Sequence, residues 1–144
     1  MIPAFINFVI LLIISAIHIY WAFGGRWGLT SALPERNGSK AFRPGPVATL
    51  VVAVLFGLMA MFYLYEIGQF PVADSVMPGW LSHYGLWALA GIFLLRAIGD
   101  FRYIGFFKRV KDSRFARLDT VFYSPLCLLL SLNTFLLISF QSKS

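Results

Sequence analysis

Four apolar stretches, each about as long as a bilayer-spanning helix, make up most of this chain. They run over residues 3–23, 47–67, 82–102 and 121–140. About 20 residues of helix cross the hydrocarbon core of a membrane. Hydrophobic residues form 59% of the chain and charged residues only 12%, whereas a soluble domain carries about 25% charged residues. The sequence therefore predicts an all-α fold in which residues 1–144 form a single integral membrane four-helix bundle.

Positive charge is concentrated in two of the three connections between these spans. The second connection, residues 68–81, contains Asp74 but no Lys or Arg. Because cytoplasmic loops are enriched in Lys and Arg, we expect the first and third connections in the cytoplasm and both termini outside. The same asymmetry argues against insertion in both orientations, and it explains the net charge of +6 without nucleic-acid binding. The bases of the two connections are Arg26, Arg36, Lys40 and Arg43, then Arg102, Lys108, Arg109, Lys111, Arg114 and Arg117.

The two basic connections differ in character. The first is rich in Gly and Pro, which predicts an irregular loop. The third places Ile104, Phe107, Phe115 and Leu118 among its bases. It either lies along the inner leaflet, with its bases on anionic lipid, or its bases only set the topology.

The ends of the spans carry further signals. No basic segment precedes the first span and no Ala-x-Ala-like site follows it, so we expect a retained helix rather than a cleaved signal peptide. Trp27, Trp80 and Tyr84 lie near span ends, where aromatic rings favour the headgroup region. Ser124-Pro125 either starts the fourth helix or kinks a helix that starts near Asp119.

Small residues recur at helical spacing on three spans. Small residues let helix backbones approach closely in lipid, so we interpret these faces as packing surfaces. We also expect Asn133 to bridge helices and Glu66 to be solvated near the outer surface. The small residues are Ser124, Cys127, Ser131 and Thr134 on span four, Ala53, Gly57 and Ala60 on span two, and Ala90, Gly91 and Ala97 on span three.

Ionisable and aromatic residues form a predicted layer in the cytoplasmic third of the bundle. Charged residues inside a membrane usually face the bundle interior or a wet cavity. On a continuous helix Arg96, Asp100 and Tyr103 would share one face, with Arg96 about 9 Å from the cytoplasmic end. The layer is either structural, with Arg96 paired to an aspartate and His18 bonded to backbone or a tyrosine, or a ligand site. Its members are His18, Trp21, Arg96, Asp100, Tyr103, Asp119 and Tyr123.

Several chemistries lack their usual residues. The chain has no phosphate-binding Gly loop ending in Lys-Ser/Thr, no His-Glu-x-x-His and no Gly-x-Ser-x-Gly. Its two histidines, His18 and His83, would lie on opposite sides of the bilayer, which argues against a paired-histidine haem or zinc site. The single Cys127 excludes an intramolecular disulfide. We therefore expect no metal and no cofactor.

Three motifs in the chain are specific enough to identify a family. The first is His-Ile-Tyr-Trp-Ala-Phe-Gly-Gly-Arg-Trp-Gly at residues 18–28, followed by Ala-Leu-Pro at 32–34. The second is Arg-Ala-Ile-Gly-Asp-Phe-Arg-Tyr-Ile-Gly-Phe-Phe-Lys at 96–108, and the third is Phe-Ala-Arg-Leu-Asp-Thr-Val-Phe-Tyr-Ser-Pro-Leu-Cys at 115–127. These motifs resemble those of domain of unknown function 3995, a family of small four-span bacterial membrane proteins. The resemblance implies a multi-pass protein of the bacterial inner membrane, and it implies no activity.

Three functions fit these patterns. The layer could bind or transport a lipid-like or anionic small molecule, with Arg96 and His18 as donors and Trp21 and Tyr123 as walls. The chain could be an enzyme in which His18 and Asp100 or Asp119 act as acid and base. It could also be an accessory subunit that packs on a larger membrane complex, or form a homo-oligomer, through its small-residue faces. The first function is our hypothesis.

Overall fold

A computed structural model describes residues 1–36, 39–40, 44–69 and 77–142. Within these residues four helices are long and apolar enough to cross a membrane, so the chain is a multi-pass membrane protein and the predicted fold class is confirmed. Arg43 and Asp74, two of the residues in the charge argument, lie outside the described residues. In chain order the elements are α1 (Ile2–Ala22), α2 (Leu29–Ala32), β1 (Glu35–Arg36), β2 (Ser39–Lys40), α3 (Pro46–Glu66), α4 (Gly79–Ile98), α5 (Arg114–Leu118), a π-helical turn (Asp119–Tyr123) and α6 (Ser124–Gln141).

The long helices pack as two pairs. Helix α1 lies against α3, α4 lies against α6, and a narrower α1–α6 contact joins the pairs. Helices α3 and α4 barely touch. Where they do approach, the Phe62 ring lies so close to Gly85 that a Cβ there would collide with it. We call the end of the bundle where α1 and α4 finish and α3 and α5 begin the basic end.

Buried hydroxyls join the helices within each pair. Ser15 Oγ on α1 donates to the Ala53 carbonyl on α3 at 2.7 Å, and Ser131 Oγ on α6 donates to the Ala90 carbonyl on α4 at 2.9 Å. Such bonds can form because Ala53 and Ala90 are buried and have no bulk to hold the helices apart. Most of the predicted small-residue faces are therefore packing surfaces inside the bundle. Gly91 is an exception, since a Cβ there would meet no atom within 4 Å.

A buried hydrogen-bond cluster closes the opposite end of the bundle. Asn7 on α1 donates to the Thr134 hydroxyl at 3.1 Å and accepts from Asn133 at 3.0 Å, while Tyr63 on α3 shares a 2.6 Å bond with Thr134. These contacts confirm that Asn133 bridges helices. The expectation of a solvated Glu66 is wrong in part: the residue is only partly exposed, and one of its carboxylate oxygens accepts from Gln141 at 2.7 Å.

Helix α4 ends at Ile98, earlier than the predicted residue 102. Gly99 has φ 92° and ψ −171°, a conformation that is nearly restricted to glycine, and it turns the chain out of the helix. The chain then loops back, and Phe106 N–H donates to the Ala97 carbonyl at 2.8 Å. Gly105 lies against the backbone of Ile98 and Gly99 with no room for a Cβ on either glycine. This crossing fixes residues 99–108 as a compact loop.

The fourth span begins well before Ser124. Ser113 caps α5 by accepting from Ala116 N–H at 3.0 Å, and the helix continues through the π-helical turn into α6. Pro125 has no N–H to donate to a carbonyl four residues earlier. The wider turn, in which Ser124 N–H donates to the Asp119 carbonyl, accommodates that loss. Of the two predicted alternatives, the structure agrees with the early start, although the helix begins at Arg114 rather than near Asp119 and has a π-helical turn where a kink was predicted.

The first connection is irregular, as its Gly and Pro content predicts. It contains the short helix α2 and an antiparallel pairing of Glu35 with Lys40. Gly24 and Gly28 both have positive φ, at 93° and 74°. Between them the chain folds back so that Trp21 Nε1 donates to the Trp27 carbonyl at 2.8 Å. The loop therefore returns over the basic end.

Candidate ligand cavity

A cavity of about 780 Å³ lies at the basic end, enclosed by the four long helices, α2, α5 and the π-helical turn. Most of its wall is aliphatic or aromatic. The polar groups among the lining residues include His18, Trp21, Arg96 and Tyr123. The structure thus brings together four of the seven residues that the sequence places in one layer. Its size and mixed lining are typical of small-molecule sites, which span about 300–1,000 Å³.

Helices α3 and α4 leave an opening between them beside the cavity, because they meet at Phe62 and Gly85, beyond the cavity, and barely touch elsewhere. Leu55 on α3 and Ile92 on α4 both line the cavity, and each is 49% exposed. In a membrane the outside of such a helix pair faces acyl chains.

Asp119 lies at the centre of a charged cluster beside the cavity. Its carboxylate is fully buried and accepts from Arg96 Nη2 at 2.9 Å, Lys108 Nζ at 3.0 Å and Gly105 N–H at 2.7 Å. Arg96, Lys108 and Asp119 are hereafter the Asp119 cluster. Two cations and one anion give the cluster a surplus of one positive charge. The pairing of Arg96 with an aspartate, one of the predicted alternatives, is confirmed.

Lys108 is fully engaged in this cluster. Its side chain is 1% exposed. Besides Asp119, its ammonium donates to the Gly105 carbonyl at 2.9 Å and the Thr120 hydroxyl at 2.6 Å. An ammonium has three hydrogens to donate, so all of its donors are used. Lys108 therefore neutralises Asp119 and holds the 99–108 loop against the π-helical turn.

Arg96 is only partly engaged. It makes one hydrogen bond among the described residues, through Nη2 to Asp119, whereas a guanidinium has five N–H donors. Its Nη1 is buried and has no hydrogen-bond partner among those residues. The predicted depth of Arg96 in its helix is wrong, because α4 ends two residues after it rather than six. It lies in the last turn of α4 and lines the cavity.

His18 is held in a fixed orientation on α1. Its Nδ1 bonds the Ile14 carbonyl at 2.8 Å. The ring also contacts Trp21 and Phe56, with ring centres 4.9 and 5.4 Å away. The predicted bond from His18 to backbone is confirmed. Neither Asp100 nor Asp119, both described in the structure, makes a hydrogen bond to this imidazole.

Tyr123 forms the wall of the cavity next to the first connection. Its ring stacks on Phe115, with centres 6.0 Å apart, and its hydroxyl donates to the Ser31 carbonyl at 3.3 Å. Phe115 is 3% exposed and belongs to the cavity lining. It is therefore not an aromatic on the leaflet surface, as one reading of the third connection had it. The aromatic wall ties α2 to the start of the fourth span.

Asp100 and Tyr103 lie outside the cavity, so the predicted shared face with Arg96 is wrong. Gly99 ends the helix before either residue, and Asp100 Oδ1 accepts from the N–H groups of Arg102, Tyr103 and Ile104 at 2.7–3.0 Å. Burial raises the pKa of this carboxyl, but the backbone N–H donors outweigh it and the pKa falls below its ordinary value. Asp100 therefore acts as an ionised cap of its own loop.

The sequence misses Lys108 as a member of the site. Nothing in its spacing separates it from the exposed bases of the same connection, Arg102, Arg109, Lys111, Arg114 and Arg117. One sequence feature could have indicated its burial: Lys108 follows Gly105 by three residues. A glycine permits the close backbone crossing seen there, and Lys108 then donates to the Gly105 carbonyl. Among the described residues no three His, Cys, Asp or Glu side chains lie close enough to hold a metal ion.

Comparisons with known proteins identify a family and no more. No curated protein and no solved structure matches the chain. A family model described as "Protein of unknown function (DUF3995)" matches residues 11–134, which include all seven residues of the predicted layer. That range is most of the chain, and it covers all three of the motifs that carry the resemblance. The chain belongs to the DUF3995 family of proteins of unknown function.

Proposed function

We propose that this protein binds an amphiphile with an anionic headgroup, with its apolar chain in the cavity and its headgroup at Arg96. The observation that carries the proposal is the surplus positive charge of the Asp119 cluster. Lys108 already pairs with Asp119 and has no donor left. The charge of Arg96 is therefore not balanced within the cluster, at the wall of a largely apolar cavity.

A charge in apolar surroundings is unfavourable unless a counter-charge accompanies it. A carboxylate or phosphate oxygen at Arg96 would supply that counter-charge and accept from the donors that Asp119 leaves free. Guanidinium groups bind such oxygens with two parallel hydrogen bonds, which are stronger than bonds between neutral groups. The apolar lining would accept an acyl chain without leaving polar groups unpaired.

The opening between α3 and α4 supports entry from the membrane. An amphiphile in the leaflet at the basic end could insert its chain past Leu55 and Ile92 while its headgroup stays at the level of Arg96. This route requires no passage of the charged headgroup through the apolar middle of the bundle.

We further propose that the protein resides in the bacterial inner membrane with its basic end in the cytoplasm. The exposed bases of the third connection support this orientation through the enrichment of Lys and Arg in cytoplasmic loops. Impermeant thiol labelling of intact cells tests it in a Cys127→Ser background. Lys111→Cys should stay unlabelled and Ser142→Cys should react, and the reverse pattern would refute the orientation.

The binding proposal predicts that Arg96→Gln binds an alkyl phosphate more weakly than the parent protein. Loss of a charge-assisted hydrogen bond, about 1.5–3 kcal/mol, corresponds to a decrease in affinity of roughly 10- to 100-fold. Titration calorimetry of the purified protein in a non-ionic detergent measures it. Lys108 still pairs with Asp119 in this variant, so the cluster keeps its main structural contact.

Arg109→Gln is the matched control. Arg109 is exposed in the third connection and does not line the cavity. The control removes the same charge and should bind like the parent protein. An equal loss in both variants would mean that the alkyl phosphate responds only to overall charge, and the proposal would be wrong.

The two alternative functions have less support in the geometry. An acid–base pair of His18 with an aspartate lacks the hydrogen bond it needs, because Asp100 and Asp119 are engaged elsewhere. An accessory subunit would need faces of small residues on the outside of the bundle, where a partner helix could pack against them. Ala53, Ala60 and Ala90 are instead buried within it.

A further inference from the structure

His18 adds a hydrogen-bond acceptor to the same cavity, and this acceptor constrains the ligand further. We infer that the headgroup carries a hydroxyl group beside its anionic group, and that this hydroxyl donates to His18 Nε2. The inference rests on the proposed function, because it concerns the ligand bound at Arg96. It narrows the ligand class from any anionic amphiphile to one with a polyol-like headgroup, such as phosphoglycerol.

The tautomer of His18 follows from its bond to the backbone. The Ile14 carbonyl can only accept a hydrogen bond, so the Nδ1 at 2.8 Å carries the hydrogen. In the neutral imidazole the second nitrogen, Nε2, then has a lone pair and no hydrogen. This nitrogen has no partner among the described residues, and the residue lines the cavity.

The acceptor is also fixed in direction. The bond to Ile14 and the contacts with Trp21 and Phe56 hold the ring in one orientation. A side chain held in place loses little conformational freedom when a ligand binds. An anionic oxygen placed at Nε2 would oppose a lone pair with another lone pair, whereas an O–H group would form a hydrogen bond.

The positive surplus of the Asp119 cluster distinguishes between possible donors. An ammonium group in the headgroup would place a second positive charge in the cavity that Arg96 lines, and like charges repel in apolar surroundings. A neutral hydroxyl donates to Nε2 without that repulsion. The cavity therefore matches a headgroup in which a phosphate binds Arg96 and a hydroxyl binds His18.

Two matched probes test the inference. One is a phosphatidylglycerol with two short acyl chains, whose only hydroxyl groups are in its headgroup glycerol, and the other is the same molecule with a propyl group in place of that glycerol. The parent protein should bind the first roughly 2- to 10-fold more tightly, which is the effect of one additional neutral hydrogen bond. His18→Phe keeps an aromatic ring but has no acceptor, and should bind both probes equally. His83→Phe, in a histidine that is not part of the cavity lining, should keep the preference.

The outcomes separate the inference from the proposal on which it rests. Equal binding of both probes by the parent protein would overturn the inference, whether or not His18→Phe folds. A preference that persists in His18→Phe would also overturn it, because the hydroxyl would then be bound elsewhere. If Arg96→Gln binds both probes as tightly as the parent protein, the proposed function itself is wrong.

Discussion

Lys108 and Arg96 both donate to Asp119, yet their surroundings give them different roles. Lys108 is buried and makes three hydrogen bonds that tie the 99–108 loop to the fourth span. Arg96 is 30% exposed in its side chain and donates once. The first cation pairs with a buried carboxylate and holds the loop in the fold. The second is left with donors for a ligand.

Removal of Lys108 should therefore destabilise the protein, unlike removal of an exposed base. Breaking a buried ion pair costs about 3–5 kcal/mol, whereas surface substitutions usually change stability by less than about 0.5 kcal/mol. We expect Lys108→Met to lower the thermal unfolding temperature in detergent well below that of Lys111→Met. The double variant Lys108→Met/Asp119→Asn should lose less stability than the two single variants lose together, because each single change leaves one charge of the pair without its partner. Losses that simply add up would contradict an energetic coupling between Lys108 and Asp119.

Part of this arrangement is predictable from residue type alone. Arg96 is an ionisable residue inside an apolar stretch and Asp119 lies two residues before one, and a buried charge needs a partner. Lys108 is not predictable in the same way, because it lies in a connection full of exposed bases. Its burial depends on where the loop backbone crosses α4, which is a tertiary property.

At the scale of the element, the crossing of Gly99 and Gly105 organises the basic end. Both residues have positive φ, at 92° and 87°. Gly99 lies against the backbone of Ile104 and Gly105, and Gly105 lies against the backbone of Ile98 and Gly99. Between them Phe101 is held at φ 61°, which is unusual for a non-glycine residue. The three N–H groups bound by Asp100 stabilise this turn. The loop places Gly105 N–H on Asp119.

Two glycines in or next to α4 should respond oppositely to substitution by alanine. Gly99→Ala should destabilise the protein by at least about 1–3 kcal/mol, because its backbone conformation is nearly glycine-only and the Cβ would collide with the Ile104 carbonyl. Gly91→Ala should stabilise it by about 0.5–1 kcal/mol, since a helix interior prefers alanine and the site is open. Thermal unfolding in one detergent compares them. A Gly99→Ala protein as stable as the parent would refute the crossing.

The helices themselves follow from hydropathy, but their ends do not. The predicted spans 3–23 and 47–67 agree closely with Ile2–Ala22 and Pro46–Glu66. The predicted end of the third span, residue 102, is wrong because hydropathy does not register the turn at Gly99. Asp100 and Tyr103 therefore follow the helix instead of continuing the face of Arg96 toward the cavity. A glycine followed by an Asp that can accept from the next N–H groups is a local signal that the helix stops.

At the scale of the whole molecule, the separation of α3 from α4 creates both the cavity and its opening. The pairs α1–α3 and α4–α6 are joined mainly through α1 and α6, so the space between α3 and α4 is not filled by helix packing. The sequence indicates several residues of this cavity but does not predict its shape, because the angles at which the helices cross depend on all the contacts along each helix. Four of the seven residues predicted to form a layer line the cavity, and Asp119 lies behind them.

Native mass spectrometry of the protein extracted from its own membrane in mild detergent tests the central claim most directly. The surplus charge at Arg96 predicts that the protein carries a bound anionic amphiphile. The added mass should be greatly reduced in Arg96→Gln and unchanged in Arg109→Gln. A folded parent protein that carries no such molecule, or equal retention in Arg96→Gln, would contradict the account.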